Sequence, residues 1–78
     1  MIIQHPLPEI PINSIWKYKH SRRAEFYIVV KIVYNMITPT GIEVDAVFLR
    51  NMLTGKFDDS CWEYYGAMFN DYKRLDNA

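Results

Sequence analysis

The sequence predicts a mainly β domain with one short α-helix, built as a small five-stranded barrel or as a strongly bent antiparallel sheet. Three observations predict it. Segments rich in alternating, β-branched or aromatic residues follow one another along a chain of 78 residues. Turn signals, TPTG at 38–41 and NMLTG at 51–55, separate them. The hydrophobic period changes once, within DSCWEYYGAMF at 59–69, to that of a helix. A chain this short makes one domain and buries only about 60% of its unfolded surface. A composition 50% hydrophobic and 15% aromatic supplies the core.

The elements follow in order. HPLPEIP places Pro6, Pro8 and Pro11 close together, so residues 1–12 read as an extended, proline-rich N-terminal arm. Its aliphatic residues Ile2, Ile3, Leu7, Ile10 and Ile12 favour packing along the domain over service as a proline-rich ligand. Residues 13–75 form the domain, and 76–78 a frayed tail. In SIWKYK, Trp16 and Tyr18 share one face and Lys17 and Lys19 the other, a half-buried strand. HSRRA is a polar loop. EFYIVVKIVYNMI is a long strand with Phe26, Ile28, Val30 and Ile32 on one face and Tyr27, Val29, Lys31 and Val33 on the other. After the TPTG turn, IEVDAVFLR alternates, which predicts an inward row Ile42, Val44, Ala46 and Phe48. Asn51 and Gly55 suit a hairpin loop, and KFD reads as a short returning strand. Ser60 followed by Glu63 has the spacing of a capping box, and Trp62, Tyr65 and Phe69 fall on one helical face. These predict a helix over about residues 60–69, with Gly66 weakening it by roughly 1 kcal/mol. DYKRL is a last short strand.

Nine basic and nine acidic residues leave no net charge, so no overall field draws the chain to nucleic acid or membrane. The halves differ. Residues 1–41 hold five bases and two acids, a balance of +3, and residues 42–78 hold four bases and seven acids, a balance of −3. The one cysteine excludes an internal disulfide and fits a reduced, cytoplasmic setting. No apolar run reaches the roughly 18 residues of a membrane span, and the start lacks the pattern of a secretion signal.

Catalysis needs a nucleophile with a base, or paired carboxylates. His5 and His20 have no spaced partner. Cys61, beside Trp62, reads as a small buried filler rather than a reactive thiol. Asp58, Asp59 and Glu63 lack the spacing of a calcium loop, and three glycines do not make a phosphate-binding motif. The expectation is a non-enzyme with no cofactor and no metal.

Two features point to binding. KYKHSRRAEFY gathers Lys17, Lys19, Arg22 and Arg23 around Tyr18, His20 and Tyr27. It reads as a solvated loop, as a patch for a protein partner, or as a phosphate grip with a tyrosine stacking on a base. A sequence pI near 6.7 weighs against the grip, since nucleic-acid-binding domains usually exceed about 9. Six tyrosines exceed what this core can bury, and surplus tyrosine, Tyr64 among it, favours an interface, self-association included.

Trp16 to Lys19, Asn51 to Gly55, and Tyr65 with Phe69 complete a pattern that resembles small bacterial and phage domains of the Src-homology-3-like barrel type. The resemblance spans about residues 13–75. It implies that fold and, through its likeness to early proteins of large phages, a protein aimed at a host component. The resulting expectation is a non-catalytic module that binds and occludes a host protein through Lys17, Tyr18, Lys19, His20, Arg22, Arg23, Tyr27 and Tyr64. The alternative is a small nucleic-acid or nucleotide binder using the basic loop at 17–23.

Overall fold

The computed structural model describes residues 7–75. Its strands are β1 (Ile15–Tyr18), β2 (Phe26–Ile37), β3 (Glu43–Asn51), β4 (Trp62–Tyr64) and β5 (Tyr72–Arg74), with one helix, α1 (Ala67–Asp71). They form a single antiparallel sheet in the order β4-β3-β2-β1-β5. The fold is mainly β, as the sequence predicts. Edges remain at β4 and β5, so the sheet is open and not closed into a barrel.

One face of the sheet carries the core. Trp16, Val29, Val47, Leu49 and Tyr72 from the strands meet Ile10, Tyr65 and Met68. The Trp16 indole fixes the start of β1: its Nε1 donates to Ser14 Oγ (2.8 Å), and that hydroxyl donates to the Pro11 carbonyl (2.6 Å). Ser14 is thereby satisfied although almost fully buried. Ile10 is only 2% exposed, and the Tyr65 hydroxyl clasps the chain there. It accepts from the Ile10 N–H (3.1 Å) and donates to the Pro8 carbonyl (2.8 Å). Leu7 and Ile12 stay exposed; Ile2 and Ile3 lie outside the described residues.

Two bulges in β2 overturn the predicted face assignments. Val29 pairs with Leu49 but Lys31 pairs with Phe48, so Val30 is an inserted residue and the sides exchange across it. Tyr34 and Asn35 together stand against Asp45, with Asn35 at φ 55 and its N–H on Asp45 Oδ1 (3.0 Å). Tyr27, Val29 and Ile32 therefore face the core, whereas Phe26, Ile28, Lys31 and Val33 face away. The expected inward row on β3 lies on the side away from the main core, although its members Ala46 and Phe48 are buried there, as expected of them. Val47 and Leu49 join the core, Ile42 is 59% exposed, and Phe48 is buried on the opposite face beneath Phe57.

The helix is shorter and later than its pattern implies. Residues 62–64 pair with Ala46–Phe48 as β4, because three aromatic or half-buried side chains on an open sheet edge gain more from a ladder than from an isolated turn of helix. The Ser60 and Glu63 spacing has another cause. Asp58 Oδ1 accepts from both the N–H and the hydroxyl of Ser60, a local turn that imitates a capping signature. KFD is not a strand. Asn51 closes this loop by accepting from Leu53 and Thr54 at its side chain and from Gly55 at its carbonyl, with Gly55 at φ 74.

Candidate binding face

Antiparallel pairs share a face and neighbours alternate, so the register maps the side of the sheet that points away from the core. Its rows run Lys73, Lys17, Phe26; then Ile15, Ile28, Arg50; then Lys31, Phe48, Trp62; then Val33, Ala46, Tyr64; then Met36, Val44. Four of the five strand cations lie here, one from each of β1, β2, β3 and β5. Arg74 alone pairs toward the core side, with Trp16. The strand acids Glu43, Asp45 and Glu63 all take the core side, and Glu63 accepts there from the Tyr72 hydroxyl (3.4 Å). Glu25 joins them, held by Tyr27 Oη (3.0 Å).

Among the described residues no helix or strand covers this back face; α1 packs on the core side, where Phe69 meets Trp16 edge-on. Partial cover comes from Phe57, whose ring lies 6.4 Å from that of Phe48. Two of the cations cap rings. Lys31 Nζ stands 4.7 Å from the centroid of Phe48, and the Arg50 guanidinium 5.5 Å from that of Phe57. Trp62 and Tyr64 meet edge to face at 5.2 Å, leaving Tyr64 53% exposed. At the end of the face beside the basic loop, Ile15, Ala24, Phe26, Met52 and Leu53 line an open apolar groove.

The residues expected to bind a partner are divided by the sheet. Lys17 and Tyr64 lie on the back face at opposite corners, and Arg22 and Arg23 are exposed in the loop beside Lys17. Tyr18 and Tyr27 turn to the core side, where both rings pack on Tyr72 at 5.1 and 5.9 Å. Lys19 and His20 tie the loop to the end of α1. Lys19 reaches the Asn70 carbonyl (3.5 Å) through Nζ, and His20 Nε2 meets Asp71 Oδ1 at 2.8 Å. Sequence reasoning missed Lys31, Arg50, Lys73, Phe26 and Met52 as surface partners of Lys17. The alternation of each segment was visible, but pairing register decides which alternating set from each strand is shared.

Burial shifts several tyrosines. Desolvation, then the Glu63 carboxylate, pushes the Tyr72 phenol far above its ordinary value. Desolvation followed by Glu25 raises Tyr27, and desolvation with neighbouring Tyr34 raises Tyr65. Hydrogen bonds from Ser60 lower the Asp58 carboxyl. Cys61 donates its thiol to Asp58 Oδ1 (3.4 Å), while Glu63 turns to Tyr72. No three metal-ligating side chains stand together among the described residues. No helix among them is long and apolar enough to cross a membrane.

No family model, curated protein or solved structure matches this chain.

Proposed function

We propose that this protein is a non-catalytic binding module whose back sheet face docks a protein partner, and that the partner is a component of a host cell's cytoplasm, which docking occludes. The observation that carries the docking is the composition of the back face outside the part that Phe57 covers: Phe26, Trp62, Tyr64, Met36 and Arg50 among aliphatics, with the strand acids turned away. Aromatic residues, Met and Arg are enriched at protein interfaces while Asp, Glu and Lys are depleted; of the three lysines on this face, Lys17 and Lys73 stand at its margin, on β1 and the edge strand β5, and Lys31 covers the Phe48 ring. The host component follows from the resemblance to phage early proteins. The test is capture from host lysate on immobilised protein, with and without nuclease, beside Val33→Glu and Tyr64→Glu variants of that face. A discrete protein retained after nuclease and lost by both variants is the expected result. Equal capture by parent and variants would refute the face.

The nucleic-acid reading keeps one supporting observation, the exposure of Lys17, Arg22 and Arg23 at one end of the molecule. Capture abolished by nuclease would favour it. Against it, Lys31 and Arg50 stand over the faces of Phe48 and Phe57 on which bases would stack.

A further inference from the structure

The groove at the cationic end of the back face carries a more specific inference, resting on the protein-docking reading. Its floor and walls are Ile15, Ala24, Phe26, Met52 and Leu53, and it is an open groove of about 590 Å³, a size at which clefts take drug-sized ligands and so ample for one large side chain. Leu53 is 84% exposed and Met52 48%, beside a sheet face already rich in apolar surface. By register and chain order, cations from separate elements neighbour its lining. Lys17 pairs with Phe26 and Lys73 with Lys17, Arg50 shares a row with Ile15 and Ile28, and Arg23 precedes Ala24 in the chain.

We propose that this groove receives one bulky apolar side chain of an acidic segment of the partner protein, whose flanking carboxylates meet Lys17, Lys73, Arg50 and the Arg22–Arg23 loop. An apolar anchor in a pocket with charges at its rim is the usual division of labour in an interface, the anchor giving affinity and the rim giving rate and specificity. Lys17 and Lys73 sharpen the argument. They stand directly opposite on β1 and β5, a like-charge pair that disfavours folding. β1 is an interior strand, so Lys17 does not serve to protect an edge. A local conflict of this kind marks a place where something other than stability chose the residues.

Other occupants fit less well. Two copies meeting back to back across a two-fold axis would set cations against cations. Nucleic acid would find one ring, Phe26, in a groove otherwise aliphatic and thioether.

The test uses a random 15-residue peptide display library against the whole immobilised protein. Selected sequences should concentrate Asp and Glu around a single bulky apolar residue. Synthetic copies, measured by fluorescence anisotropy, should bind at least about tenfold more weakly to Lys17→Glu and to Leu53→Asp, and more weakly as salt rises. Thermal melts control for folding: Lys17→Glu should melt no lower than the parent, because it faces Lys73. Enrichment without acids, no enrichment, undiminished binding to Lys17→Glu, or displacement of the peptides by a thymidine oligonucleotide at equal concentration would each overturn the proposal. Acid-free peptides that bind the parent but not Val33→Glu would overturn it while leaving the protein-docking reading of the face intact.

Discussion

Lys17 and Lys73 oppose each other across β1 and β5, and relieving that repulsion should stabilise the fold. Lys73→Glu is expected to gain about 0.2–1 kcal/mol in urea denaturation, the range of cross-strand charge pairs. Unchanged or lower stability would show that the two side chains diverge. The tyrosines give a second measure. Burial raises Tyr27, Tyr65 and Tyr72, which therefore hold their protons in the folded state beyond the pH at which an unfolded tyrosine loses them. Their contribution to stability is complete below the unfolded value, near 10, and is lost as pH rises above it. Spectrophotometric titration should show Tyr27, Tyr65 and Tyr72 ionising late or together with alkaline unfolding. One transition at the ordinary value with the fold intact would contradict the packing of Tyr72.

At the scale of elements, the segment 58–71 is where local and tertiary preferences part. Gly66 stands at the N-terminal boundary of α1 with φ −65, a conformation open to any residue. A Cβ there would meet Leu7 Cδ1 at an ordinary 3.7 Å. Gly66→Ala should therefore be neutral or stabilising by up to about 1 kcal/mol, through the lost freedom of the unfolded chain. Ser60 is no helix cap, so Ser60→Ala should stay within about 0.5 kcal/mol of the parent in chemical denaturation. A loss of about 1 kcal/mol or more would restore a helix starting at Ser60.

Across the whole molecule, Tyr65 joins the lead-in to the domain. Its hydroxyl satisfies the N–H of buried Ile10 and donates to Pro8. Tyr65→Phe should cost about 1–3 kcal/mol by leaving that N–H unpaired, and limited proteolysis should then cut first around residues 7–12. Unaltered stability with unaltered cleavage would mean that Ile10 alone holds the segment. The second molecular property is sidedness. The neutral total hides a sheet with Lys17, Lys31, Arg50 and Lys73 on one side and, on the other, Glu43, Asp45 and Glu63 with Arg74 alone among the strand cations.

The sequence by itself determined the mainly β class, four of the strands to within one residue at each end (observed at 15–18, 26–37, 43–51 and 72–74), and the turns with Gly41 and Gly55 at positive φ. These are local matters, set by β-branched content, alternation and turn chemistry within a few residues. Tertiary structure decided which alternating set is the core. One inserted residue at Val30 exchanges the faces of β2, and nothing local in VVKIV marks it. Tertiary structure also decided that Trp62–Tyr64 is a strand, since its partner Ala46–Phe48 lies 16 residues away for each pair at the centre of the ladder, Val47 with Glu63. The binding face depends on the same choices. The basic loop was legible because its charges are contiguous, whereas the cationic side of the sheet is assembled from four strands only once their register is set.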